Sequence, residues 1–176
     1  MKTPKFIYKD ESLNVKRCEI KSYDGENIEC FFMSPKALKG NAPCLIYIHG
    51  GGYKGGCAHE KHFDGPVWPT KDVIAVTCNY RLGPMGYMCL PELEAEAGHT
   101  GNYGMYDQIC ALQWVRDNIE AFGGNADDIT IFGQSAGAMS VFNLCISPLT
   151  DGMFTKAAMN SGGGVSKLMN SNATTK

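Results

Sequence analysis

The sequence predicts an α/β fold, a mostly parallel sheet whose strands alternate with helices. Three observations carry this. The runs 44–48 and 73–78 are apolar at nearly every position, as strands covered on both faces must be. Segment 102–122 repeats apolar residues (Met105, Ile109, Leu112, Ile119 and Phe122) at helical spacing, and Gly123-Gly124 supplies its stop. The 21 glycines fall unevenly, punctuating the junctions between such segments.

Taken in order, 15–20 and 27–33 read as strands joined by the turn at Asp24-Gly25. Strands follow at 44–48 and 73–78, then the long helix 102–122. A strand at 129–132, a helix at 136–146 and a last strand at 157–159 complete the alternation. No internal repeat is visible. One domain over 1–160 is expected, and the Gly-, Ser-, Asn- and Thr-rich tail 161–176 is expected not to pack.

Composition narrows the classes of function. The formal net charge is −2 over 176 residues, with no basic cluster, which argues against a dedicated nucleic-acid binder. No apolar run approaches the roughly 18 residues a membrane-spanning helix needs, and residues 1–10 have no signal-like apolar stretch. A cytoplasmic protein without membrane partners is expected. The eight cysteines, at 18, 30, 44, 57, 78, 89, 110 and 145, show neither zinc-ligand spacing nor a Cys-x-x-Cys pair. They read as free, mostly buried thiols in a reducing compartment.

The strongest motif is Gly133-Gln134-Ser135-Ala136-Gly137, between a predicted strand and a predicted helix. This G-x-S-x-G pattern is a nucleophile elbow. A serine on a sharp turn has its hydroxyl lifted above the sheet, and glycines two residues to either side avoid collision with strand and helix. The Ala136 N–H, at the helix N-terminus, then points to where an oxyanion would form. A second motif, His49-Gly50-Gly51-Gly52-Tyr53, directly follows an apolar strand and matches the glycine loop that completes an oxyanion hole in esterases and lipases. Gly50, Gly52 and Gly55 also fit G-x-G-x-x-G, but the next strand ends in Asn79 instead of an acid, and Gly65-Pro66 interrupts the helix a dinucleotide site requires. No Gly-Lys-Ser/Thr follows, so a phosphate loop is excluded as well.

With these motifs the chain resembles the type-B carboxylesterase family of α/β-hydrolases. The resemblance rests on HGGGY (49–53), Asn79-Tyr80-Arg81-Leu82-Gly83, GNYGMYDQICALQWVRDNIEAFGGN (101–125), ITIFGQSAG (129–137), Ser147-Pro148-Leu149 and AAMNSG (157–162). It implies an α/β-hydrolase sheet with helices on both faces and a carboxylic ester hydrolase working by serine acyl transfer. The substrate would be a small-molecule ester, and neither cofactor nor metal is implied. Ser135 would be the nucleophile, Gly51, Gly52 and Ala136 the oxyanion donors, and Arg81 with Asp107 a structural ion pair. Many members carry Glu before the nucleophile, where this chain has the neutral Gln134.

The departure from the pattern lies downstream. The triad of these hydrolases runs Ser, then acid, then His along the chain. After Ser135 the sequence contains no His and no Glu, and its one acid is Asp151. His49 belongs to the glycine loop, while His59, His62 and His99 read as surface residues. The chain therefore reads as the N-terminal part of such an esterase, its sheet stopping after the strand at 157–159. An incomplete fragment or non-enzymatic module that pairs with another polypeptide is the alternative. In either case the exposed last strand predicts self-association through its edge.

Overall fold

The computed structural model describes residues 11–58 and 67–162. Six strands form one sheet: β1 (Leu13–Lys21), β2 (Asn27–Pro35), β3 (Ala42–Ile48), β4 (Ile74–Cys78), β5 (Gly124–Gln134) and β6 (Lys156–Asn160). Their order across the sheet is β1-β2-β4-β3-β5-β6. Four helices intervene: α1 (Gly83–Tyr87), α2 (Pro91–Ala97), α3 (Tyr103–Asn118) and α4 (Ala136–Ile146).

The sheet is mixed, and connection length decides where. A tight turn can join only antiparallel strands, whereas parallel neighbours need a crossover. The short link 22–26 accordingly makes β1 and β2 an antiparallel hairpin, with Ser22 N–H donating to the Glu26 carbonyl at 2.8 Å. β2 also meets β4 antiparallel, and the remaining pairings, β4–β3, β3–β5 and β5–β6, are parallel. β3 and β4 are the most thoroughly buried strands, as their unbroken apolar runs require.

One apolar cluster ties the sheet to its helices. Alternate strand residues (Ile28, Cys30, Phe32, Cys44, Ile46, Ile48, Ile74, Val76, Ile129 and Ile131) pack with Ala111, Leu112 and Val115 of α3 and with Val141 and Leu144 of α4. Among the described residues, both long helices pack into this one cluster on the sheet. The predicted helix 102–122 is α3 continued by a 3-10 turn, Ile119–Phe122, that ends on left-handed Gly123. Residues 163–176, most of the predicted tail, lie outside the described residues.

Candidate active site

β5 runs directly into α4, and Ser135 is the residue at the bend. Its φ of 56° and ψ of −122° place a side-chain-bearing residue in a region that costs on the order of 1–3 kcal/mol. Several contacts enforce the bend. Ser135 N–H donates to the Asn160 carbonyl at 3.0 Å, tying the bend to the end of β6. The Ser135 carbonyl accepts from Met139 N–H at 3.1 Å, the first turn of α4. The flanking glycines are a packing requirement: a Cβ at Gly133 would lie 2.2 Å from the Gly137 carbonyl oxygen, and one at Gly137 would lie 2.0 Å from that of Ile48. Helix and strand cross too closely for any side chain there. The positive end of the α4 dipole consequently lies at Ser135.

The glycine loop leaves β3 beside this bend. A Cβ at Gly50 would be 3.3 Å from Ser135 Cβ and 2.7 Å from the Gln134 carbonyl oxygen, so loop and elbow are in contact. Gly51 has φ 97°, a left-handed conformation, and its carbonyl accepts from Lys54 and Gly55 N–H at 3.1 and 3.2 Å. That turn consumes the carbonyl of Gly51 and bends the chain around it. His49 anchors the loop from below. It is buried, its ring stacks on Tyr80 at 4.3 Å, and its carbonyl accepts from the Tyr80 hydroxyl at 2.7 Å. Burial pushes the Tyr80 phenol above its ordinary range, so it stays a neutral donor. Beyond the loop, an open cavity of about 750 Å³ is lined by Gly52, Tyr53, Lys54, Gly83, Pro84, Tyr87 and Met88.

Arg81 and Asp107 meet in a two-pronged pair. Arg81 Nη2 lies 2.6 Å from Asp107 Oδ1, and Arg81 Nε lies 2.9 Å from Oδ2. The Arg81 backbone N–H also donates to Oδ2 at 2.9 Å. Asp107 is buried, while the Arg81 side chain keeps about a quarter of its surface (24%) exposed. Two further partners were not legible in the sequence. Ser22 Oγ donates to Asp107 Oδ1 at 2.6 Å, and Asp24 Oδ2 pairs with Arg81 Nη1 at 2.6 Å. Both come from the hairpin turn, whose approach to α3 is set by sheet order and not by local pattern. Hydrogen bonding to Asp107, outweighing burial, pushes the Arg81 guanidinium still higher.

The other sequence candidates fall elsewhere. His99 sits in a loop among Tyr23, Tyr103 and Tyr106, its Nε2 3.2 Å from the Tyr23 hydroxyl. His59 and His62 lie outside the described residues. Tyr53 lines the cavity and its hydroxyl accepts from Ser140 Oγ at 3.3 Å. None of the eight cysteines is in a disulfide, and only Cys30, Cys44 and Cys78 are buried; Cys145 is exposed and the other four are half-buried. No helix among the described residues is long and apolar enough to cross a membrane.

A serine strained between a strand and a helix, on a largely parallel sheet, defines an α/β hydrolase. The chain belongs to the carboxylesterase family, whose sequence model matches residues 13–176. It is 39% identical over 145 residues to fumonisin B1 esterase of Sphingopyxis macrogoltabida, covering 79% of this chain and 27% of that protein. It is 41% identical over 138 residues to para-nitrobenzyl esterase of Bacillus subtilis, covering 76% and 28% respectively. A solved PNB esterase superposes with a TM-score of 0.77 at 38% identity, over 84% of this chain and 31% of that one. The chain thus spans under a third of the length of these relatives.

Proposed function

We propose that this chain carries the nucleophile and oxyanion hole of a serine carboxylesterase. Ser135 Oγ attacks an ester carbonyl, the N–H groups of Gly51, Gly52 and Ala136 hold the oxyanion, and water clears the acyl-enzyme. The observation that carries this is the strained Ser135 backbone, held by close glycine contacts beside the left-handed glycine loop. A merely structural strand–helix turn has no need of a half-buried serine held under strain. Membership of the carboxylesterase family supports the reaction class. The substrate is a small-molecule ester, with the cavity beside Gly52 as the space for one of its arms.

Ser135 needs a base, and no His follows it in the sequence. This reading therefore needs a His from outside residues 136–176. A second reading, a module that completes its site by pairing with another polypeptide, is favoured by β6, whose five residues are all exposed. The test is hydrolysis of p-nitrophenyl butyrate by the chain and by Ser135→Ala. In subtilisin, loss of the base costs on the order of 10⁶ in kcat, so trace turnover is expected here. Turnover should become robust when a polypeptide supplying acid and His is joined or added, and Ser135→Ala should abolish it. Strong hydrolysis by the chain alone would assign the base to an upstream His. Turnover indifferent to Ser135→Ala would overturn the nucleophile.

A further inference from the structure

We propose that Cys30 and Cys78 form a redox-active pair, joined as a cross-strand disulfide when the chain meets a low-molecular-weight disulfide such as oxidised glutathione. Three cysteines stand in one row across the sheet, because Cys18 faces Cys30 in the β1–β2 ladder and Cys30 faces Cys78 in the β2–β4 ladder. The hydrogen-bond phase of the two ladders separates them. Asn79 N–H donates to the Glu29 carbonyl at 2.8 Å, which makes Glu29 and Asn79 a hydrogen-bonded pair. The adjacent pair, Cys30–Cys78, is then of the non-hydrogen-bonded kind, with Cα atoms about 4.5 Å apart and side chains at their closest.

The β1–β2 ladder has the opposite phase. Lys36 N–H donates to the Ser12 carbonyl at 2.9 Å and Ser22 N–H to that of Glu26 at 2.8 Å. Stepping by two from either end puts Cys18–Cys30 among the hydrogen-bonded pairs, where Cα atoms stand about 5.5 Å apart. A disulfide needs Cβ atoms about 3.5–4.5 Å apart, and opposed strand residues offer about 4.5–5.5 Å, with non-hydrogen-bonded pairs at the short end. Cys30–Cys78 meets that requirement and Cys18–Cys30 does not. Exposure alone would favour the reverse, since Cys18 is half-buried and the other two are buried. A hydrogen bond with Cys78, then burial, push the Cys30 thiol far above its ordinary range, so a folded, reduced pair reacts slowly.

The chemistry balances. Two S–H bonds break and one S–S bond forms, while two protons and two electrons reduce one glutathione disulfide to two thiols. The bond would staple β2 to β4 immediately before Asn79, Tyr80 and Arg81. Those residues hold Ala58 N–H, the His49 carbonyl and Asp107 respectively, so the staple would stiffen the support beneath the glycine loop. It is independent of the proposed reaction.

The test is to refold the reduced chain in a glutathione redox buffer, which lets buried thiols equilibrate. Remaining thiols are then alkylated and the chain is mapped by non-reducing peptide mass spectrometry. A single link between the Cys30 and Cys78 peptides is expected, with a rise in Tm of about 5 °C or more relative to the reduced chain. Cys18→Ala should retain the link and Cys78→Ala should lose it. Eight free thiols, a Cys18–Cys30 link, glutathione adducts alone, or a Tm that does not rise on oxidation would each overturn the proposal.

Discussion

Asp107 shows how one buried carboxylate organises a region. It accepts from the Arg81 guanidinium, the Arg81 backbone and Ser22, which satisfies both oxygens without water. Which partner is removed then decides the cost. Arg81→Met would strand a carboxylate only 2% exposed and should cost about 3–5 kcal/mol. Asp107→Asn leaves a guanidinium that still reaches solvent and Asp24, so about 1–2 kcal/mol is expected. Urea denaturation of both variants checks the order, and equal costs would show that burial asymmetry does not govern the pair. Asp24 adds a pH-dependent part. Burial pushes its carboxyl up, but hydrogen bonds from Arg81 and Glu26 and the Arg81 charge outweigh it and hold it below 3.8. A depressed carboxyl stabilises above its unfolded pKa, and that contribution fades as pH falls through the lower folded value. The pair is partly exposed, so the difference between wild type and Asp24→Asn should stay under about 1 kcal/mol at pH 7. It should shrink as pH falls below 3.8 and be lost once pH passes the lower folded pKa, as a denaturation series against pH would show.

The elbow is where local and global requirements meet among the elements. Gly137 lies inside α4, and glycine in a helix ordinarily costs about 1 kcal/mol against alanine. Gly137→Ala should nonetheless destabilise, because its Cβ would lie 2.0 Å from the Ile48 carbonyl oxygen of β3, and backbone cannot rotate away. Overpacking of about 1–3 kcal/mol outweighs the helical gain, and a Tm above wild type would contradict the contact. This spacing was legible in the sequence because G-x-S-x-G is itself a record of the close crossing. The long helix was legible for a similar reason: Leu112 and Ile119 are buried where the apolar period places them. The short helices α1 and α2 carry no such record. α1 has five residues opening Gly-Pro, and α2 is acidic and largely exposed, so neither displays an apolar period. The pairing of Ser22 and Asp24 with Asp107 and Arg81 was not legible, because a hairpin turn reads identically whether or not it reaches Arg81. The placement of β4 between β2 and β3 is likewise a matter of long-range pairing.

At the scale of the whole molecule, the sheet has, among the described residues, one well-managed edge and one open edge. β1 alternates charged residues along its length and carries the Arg17–Glu29 pair across the hairpin, which discourages further pairing. β6 pairs only with β5 among the described residues, and all five of its residues are exposed. Its apolar members Ala157, Ala158 and Met159 are exposed along that edge. An unpaired strand edge with apolar side chains is a template for another strand. We therefore propose that the chain self-associates through β6, and sedimentation velocity should show dimers or larger species growing with concentration. Met159→Lys places a charge beside the open edge, discouraging a neighbouring strand without touching α3 or the Arg81 network. It should shift the distribution towards monomer. A wild-type chain that stays monomeric across a hundredfold range of concentration would show that the β6 edge is already protected. Association that Met159→Lys leaves unchanged would move the interface elsewhere on the molecule.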